Sequence, residues 1–583
     1  MNFIIRILLL SLIVMFLSAC GGDGSGSGKS GGSQQNTFND ESLVIGSYIA
    51  GCVYSQYSES QPIEDIIELD CRDISFDGLE GIQYLTSLEV LKFNVSDTYG
   101  MYQTDLDVLA QSQALKELYI NNDYNYRNLD FSVLKSMTTL EHFTFIDDES
   151  TDLSFLKEFT HIKHLILNIP YDYELESGLK QYFDVALASN DLEFVEQMTW
   201  LEGLVLPVNS DAIPDLSALV NLKTLVLAVS STVSDLSSLS ALTNLEILDI
   251  HVFQHDWGLF DAIAVSNTDF LDSLVNLEIL SLQGLLVHDF NFVEAMHNLS
   301  AFSYDIDWCS SAVCDVDISD LSAFNELTNL EYFKLKYNSR PSLAVDLSEL
   351  PLAKLRYLYL SSMLITDISD LNGMSELSVL HADLVSLDAT TLTVPLLPKL
   401  VEFHWNSNQI NSLNIVSDMP LLEAIEVKNL FYLTDFNISG CLPSLNSMLI
   451  ESTELVYSEI EGFLGVSGRC SEHLQNLSWL ELSDNPSLTR IGDVSHLTTL
   501  KHLDLSDNDI QFGLFGLSSL VNLETLNLRL NDGINDVKFS FNILESMNDL
   551  ARLDLVGTSI PCSQIETWAN SESGSGIWVV DSC

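Results

Sequence analysis

The chain has 583 residues, 46% of them hydrophobic and only 18% charged, so it carries enough apolar material for a large ordered core and lacks the composition of a disordered chain. Its charge is one-sided: 24 Lys and Arg stand against 83 Asp and Glu, a formal net charge of -59. That field repels nucleic-acid phosphates and anionic membrane surfaces, which argues against DNA or RNA as a partner; it favours basic partners, divalent cations or simple solubility in a salty exterior.

Residues 1–19 hold one early positive charge at Arg6, an apolar run from Ile7 to Leu17 and small residues before a cysteine. The run is too short for a spanning helix and Gly and Ser follow at once, the pattern of a secretory signal. Leu17-Ser18-Ala19-Cys20 resembles the bacterial lipobox, which implies cleavage before Cys20, acylation of that residue and a lipid anchor in the cell envelope. Gly21 stands where an Asp would favour retention in the inner membrane, so the outer membrane is the expected location. Residues 20–41 form a Gly/Ser-rich tether. Gly28-Lys29-Ser30 imitates the end of a phosphate-binding loop, but Asp23 replaces the first glycine and no strand or helix flanks it, so no nucleotide site is expected there.

Residues 42–80 read as an N-terminal cap, with Cys52 and Cys71 flanking it and Ile66, Leu69 and Cys71 already in phase with a repeat that runs from 81 to 560. The stretch from Leu474 to Ile510 states the rule of that repeat twice: Leu474, Leu477, Leu480 and Leu482 lead to Asn485, and 23 residues on Leu497, Leu500, Leu503 and Leu505 lead to Asn508 and Ile510. Steps of three suit a turn winding inward, and the last step of two puts both leucines on one face of a short strand. One copy is one coil of a solenoid, whose leucines are buried only by the coils on either side.

These residues resemble the leucine-rich repeat family in its 22-residue, internalin-like form: L-x-x-L-x-L-x-x-N is met by Leu477, Leu480, Leu482 and Asn485, and again by Leu500, Leu503, Leu505 and Asn508. The resemblance implies an α/β-type solenoid, a curved horseshoe with a parallel β-sheet on its concave face and irregular or short helical convex segments. It also implies that Asn408, Asn485, Asn508 and Asn531 form an inward amide ladder. With the third leucine-type position as marker, the coils are centred on Leu91, Leu118, Phe143, Leu165, Leu204, Leu225, Leu248, Leu280, Phe302, Phe333, Leu358, Leu380, Phe403, Ile425, Met448, Leu480, Leu503, Leu526 and Leu553. Longer intervals precede Leu204, Leu280, Phe333 and Leu480, the first containing an expected helix at 175–189, and extra residues in a solenoid leave through loops. Recurring turns, Thr366 to Leu371, Val233 to Leu236 and Val316 to Leu321, place Asp and Ser where short polar side chains satisfy backbone groups. Residues 561–583 read as a C-terminal cap.

Of nine cysteines, eight remain if Cys20 carries lipid: 52 and 71, 309 and 314, 441 and 470, 562 and 583. An even count in an exported chain reads as disulfides, with Cys52, Cys71, Cys309, Cys314, Cys441, Cys470, Cys562 and Cys583 as candidates and a connectivity that spacing does not fix. No pair has the C-x-x-C spacing of a zinc site. His161 and His164 have H-x-x-H spacing but read as lying on different sides of a strand. The densest acidic group, Asp305, Asp307, Asp315, Asp317 and Asp320, is a candidate for calcium, though no D-x-D-x-D-G loop is present. The repeats hold no G-x-S-x-G elbow, H-E-x-x-H helix or phosphate-binding loop, so the chain reads as non-enzymatic and without a cofactor.

There remains the surface. In strands of the form x-L-x-L-x the x positions face the concave side, and in five consecutive coils they carry Tyr332, Lys334 and Lys336, Tyr357 and Tyr359, His381, Glu402 and His404, and Glu426 and Lys428. Tyrosine with mixed charge is frequent at binding hot spots. The expected function is therefore binding by this concave patch, of a protein first and of a glycan as the second class; the alternative is an envelope spacer without a dedicated ligand.

Overall fold

The computed structural model describes residues 45–581 except 59–60, 96–99, 123–126, 128, 148–151, 168–191, 209, 254–267, 307–317, 338–343, 388, 408, 457–463, 465–473, 572–573 and 575. The lipobox with Cys20, the tether, the expected helix at 175–189, Asn408, Cys309, Cys314, Cys470, Cys583, Asp307, Asp315 and Asp317 therefore lie outside the described residues.

The described chain forms two compact units, the first ending at Leu274 and the second beginning at Val275. Each is a stack of coils with one short parallel strand per coil. In the first unit Leu69, Leu91, Leu118, Phe143, Leu165, Leu204, Leu225 and Leu248 pair strand to strand at the same register position. In the second, Leu280, Phe302, Phe333, Leu358, Leu380, Phe403, Ile425, Met448, Leu480, Leu503, Leu526, Leu553 and Val579 do the same. Within each unit every marker residue is thus aligned with its neighbours. Each unit adds one further strand, Glu68–Asp70 in the first and Trp578–Val580 in the second.

Burial alternates along the strands because successive side chains point to opposite faces. In Tyr332–Tyr337, Phe333, Leu335 and Tyr337 are buried and the residues between them are half-buried. After the strand the coil turns, commonly through a short 3-10 helix that carries two buried apolar residues three apart, such as Leu153 and Leu156 in Leu153–Glu158. Several of these turns start on an aspartate. Asp235 accepts from the Ser237 amide at 2.8 Å, Asp320 from Ser322 at 3.0 Å and Asp367 from Ser369 at 2.8 Å. These bonds satisfy helix-start donors that have no partner inside the turn.

The return side of the coils departs from the expected irregular or helical form in part of the second unit. Thr391–Val394, Ser412–Ile415 and Asp435–Ile438 make a second parallel sheet in which Leu392, Leu413 and Phe436 align. Ala344–Val345, Leu364–Ile365 and Ser386–Leu387 make a third. The physical reason is local: TLTV, SLNI and DFNI alternate polar and apolar residues, a period-two pattern that fits a strand and not a helix.

Both ends of the described chain are covered. The helix Ser47–Gln56 buries Tyr48, Ile49, Cys52 and Val53. The Tyr48 hydroxyl donates to the Cys71 carbonyl at 3.0 Å, and a Cys52–Cys71 disulfide ties the helix to the first strand. At the other end the helix Cys562–Ala569 buries Ile565 and Trp568, and the Trp568 ring stacks on Phe541 at 4.8 Å. Cys441 and Cys562 are also disulfide-bonded.

Candidate functional site

The ten concave residues singled out from the sequence come together on five neighbouring strands of the second unit. Tyr332, Tyr357, Val379, Glu402 and Ala424 form one row, and Lys334, Tyr359, His381, His404 and Glu426 form the next. Lys336 aligns with Ser361 and Asp383, and Asn406 with Lys428.

The middle row is a run of contacts from side chain to side chain. Asp305, one strand earlier, accepts from Lys334 at 2.6 Å and lies 3.5 Å from Lys336. Lys334 sits 5.5 Å from the centre of the Tyr359 ring, which stacks on His381 at 4.4 Å. His381 stacks on His404 at 5.2 Å. His404 bonds Glu426 through Nδ1 at 2.8 Å and faces Glu402 through Nε2 at 3.5 Å. Lys428 closes the run, 2.8 Å from Glu426 and 3.6 Å from Glu451 on the following strand. Across seven strands the row spans about 30 Å at the usual strand spacing.

The electrostatics follow from these pairs. Burial pushes the His404 imidazole down, but its hydrogen bonds to Glu402 and Glu426 outweigh burial and raise it to about 9. The same bond is the first cause that pulls Glu426 down to about 2. His381 moves the other way: burial, then the charge on His404, lower it to about 4. The Tyr332 phenol is pushed up by burial and then by Asp305. At neutral pH the patch is thus a mosaic of Lys, imidazolium and carboxylate among aromatic rings, each in contact with its neighbours. Such ordering lowers the entropy lost when a partner docks.

Sequence reasoning missed Asp305, Asp383, Asn406 and Glu451 as members of the patch. Asn406 donates to Asp383 at 2.6 Å. Aligning the strands at their marker leucines would have found all four, since each occupies an x position of its own coil.

The weaker metal candidates are placed differently. Asp305 is engaged by the two lysines and Asp320 by the Ser322 turn. His164 stacks on His142 at 4.5 Å, whereas His161 lies against Phe159 at 6.1 Å. Among the described residues no group of three or more His, Cys, Asp or Glu could hold a metal ion.

Beneath the strands runs the polar spine. Asn508 donates to the carbonyls of Leu482 at 2.6 Å and Leu505 at 2.8 Å, and accepts from the Asn485 amide at 2.8 Å. Asn485 in turn donates to Ile450 at 3.0 Å, and Asn531 to Leu505 at 2.7 Å. An inward asparagine bridging successive coils, just beyond aligned leucines, decides the architecture. The chain folds as a leucine-rich repeat solenoid.

No family model matches the sequence, and no curated protein does. Among solved structures, an internalin from Listeria monocytogenes is 19% identical over 79% of this chain and 95% of that one, with a TM-score of 0.33. A leucine-rich repeat protein from Leptospira interrogans is 14% identical over 89% and 96%, with a TM-score of 0.37. A plant peptide hormone receptor in complex with RGF2 is 14% identical over 86% of each chain, with a TM-score of 0.39. The register of this chain's own strands, rather than these alignments, identifies its leucine-rich repeats.

Proposed function

We propose that this chain is a non-enzymatic binding module that holds a protein partner on the concave patch between Tyr332 and Lys428. The supporting observation is the continuous run from Asp305 to Glu451, in which the side chains are oriented by one another before any ligand arrives. Tyrosines, lysines and a charged histidine on a rigid sheet supply apolar area, directional hydrogen bonds and charge selection together. In this reading the Cys20 lipid anchor and the Gly/Ser tether display the solenoid from the outer membrane. A glycan is the second ligand class that such a surface suits, since aromatic faces and paired carboxylates also meet sugar rings.

The test is capture of partners by the purified chain from intact cells, comparing wild type with a Tyr357→Ala, Tyr359→Ala, Lys334→Ala variant of equal thermal stability. Capture of a defined protein that the variant loses supports the reading. Capture by neither protein overturns it in favour of an envelope spacer, and equal capture by both moves the site away from the patch.

A further inference from the structure

The chain has few cations and places them unevenly. Between Lys223 and Lys334 there is no Lys or Arg, and then seven of the 24 fall between 334 and 428. Four of those seven, Lys334, Lys336, Arg356 and Lys428, lie in or beside the concave patch. Two more, Lys354 and Lys399, join Arg356 around a groove of about 610 Å³ at the edge of the same coils.

The groove arises from a break in a regular pattern. The residue just before each strand commonly carries a charge that pairs with its counterpart in the next coil: Lys116 with Glu89 at 2.8 Å, Lys163 with Glu141 at 2.9 Å, Lys501 with Glu524 at 2.8 Å. Arg356 follows this rule with Glu331, at 3.4 Å. The next two positions are Ser378 and Val401, too short and uncharged to continue the row, and the edge opens there. Lys354 bonds only a neutral group, the Asn329 side-chain oxygen, at 3.4 Å. Lys399 pairs with Glu376. Val401 and the half-exposed Leu421 make the apolar wall opposite.

We propose that this groove is a binding subsite for an acidic peptide segment, in which a carboxylate lies between Lys354 and Arg356 and the following apolar side chain rests on Val401 and Leu421. The guanidinium of Arg356 makes one long bond to Glu331 and keeps donors in a planar fork suited to a second carboxylate. Charge complementarity selects this ligand: over most of a surface with net charge -59 an acidic segment is repelled, whereas here three cations outnumber the two lining carboxylates, Glu331 and Glu376. Arg356 also lies 5.7 Å from the centre of the Tyr357 ring, so a segment in the groove continues directly onto the concave patch. The subsite does not depend on the patch for its own chemistry and is testable apart from it.

The probe is a labelled short peptide carrying two Glu around one Leu, followed by fluorescence anisotropy on the full chain, with the Lys-for-Glu peptide as its counterpart. We expect saturable binding of the acidic probe that weakens at least ten-fold from 50 to 500 mM salt. A Lys354→Glu, Lys399→Glu variant should weaken it at least ten-fold, and Arg356→Gln several-fold; Lys116→Glu, at the corresponding pre-strand position of a coil in the first unit, should leave it unchanged. All these side chains are exposed, so circular dichroism should report unchanged folding. The proposal is overturned if the wild type shows no saturable binding, if the reversal variant binds as well as wild type, if the basic peptide is preferred, or if a sulfated oligosaccharide binds the groove and the peptide does not. The triple variant of the concave patch separates the two sites: it should keep the acidic probe even if the patch binds nothing.

Discussion

The imidazoles of His381 and His404 stack at 5.2 Å, yet only one of them is charged at neutral pH. His404 faces two carboxylates and is raised to about 9; His381 is lowered to about 4, by burial and then by the charge on His404. The pair therefore gives the second unit two opposed pH responses.

For His404 the folded value lies above the ordinary value of about 6.5, so its contribution is complete below about 6.5 and is lost as pH rises through 9. For His381 the folded value lies below the ordinary one, so its contribution is present above about 6.5 and is lost as pH falls through 4. His404→Gln should remove about 2 kcal/mol at pH 6 and flatten the alkaline decline between pH 6.5 and 9. Denaturant unfolding of wild type and variant at several pH values measures this. A decline that persists unchanged in the variant assigns the effect to other groups.

The asparagine spine should be costly to break. Asn508→Ala removes the bonds to the Leu482 carbonyl and the Asn485 amide in a buried place, while the Leu505 carbonyl keeps its bond from Asn531, a loss of about 2 to 3 kcal/mol. Asn437, exposed on the second sheet with one contact to Asn414 at 3.5 Å, is the control, and its alanine variant should change stability by less than about 0.5 kcal/mol. Equal midpoints for the two variants would remove the spine's structural role.

The leucine spacing made the fold legible because a three, three, two rhythm determines which face of the coil each residue takes, and within each unit every marker residue is indeed aligned with its neighbour's. The concave patch was legible for the same reason: once Phe333 and Leu358 are aligned, Lys334 and Tyr359 must be neighbours. Asp305 read as a calcium ligand among five aspartates, although aligning the markers Phe302 and Phe333 across their 31-residue interval puts it opposite Lys336; what the sequence leaves out is the side-chain geometry that turns such neighbours into ion pairs. The edge groove was hidden too, because Ser378 and Val401 matter only as gaps in a row of charges. The second sheet carries a period-two signal four residues long, too brief to outweigh the family's usual convex form.

Core packing offers a further check. Ala382 lies beside Trp405 in the inward row of adjacent strands, where the neighbouring positions carry Leu360 and Val427. The small residue makes room for the indole, which is almost wholly buried. Ala382→Leu should therefore overpack by about 1 to 3 kcal/mol, and Trp405→Ala should cost about 3 to 5 kcal/mol. The double variant should lose less than the sum, because each change relieves the other. Strict additivity in denaturant unfolding would show that the two side chains do not share one space.

In seven coils of the second unit the residue leaving the strand takes positive φ: Ser362, Leu384, Asn429, Ser452, Asp484, Asp507 and Leu530 all lie between 51° and 61°. Asn and Asp tolerate that region through local hydrogen bonds, whereas a leucine meets the clash between its Cβ and the following carbonyl. Leu384 is also half exposed, so its side chain returns little burial for the strain. Leu384→Gly should relieve about 1 kcal/mol of backbone strain, offset in part by the added freedom of the unfolded chain, and Leu384→Asn should keep more of the gain. We expect both variants to be at least as stable as wild type, with Asn the better, when their unfolding midpoints are compared at one pH. A loss exceeding about 1 kcal/mol in both would mean that Leu384 is held there by packing rather than tolerated despite its backbone.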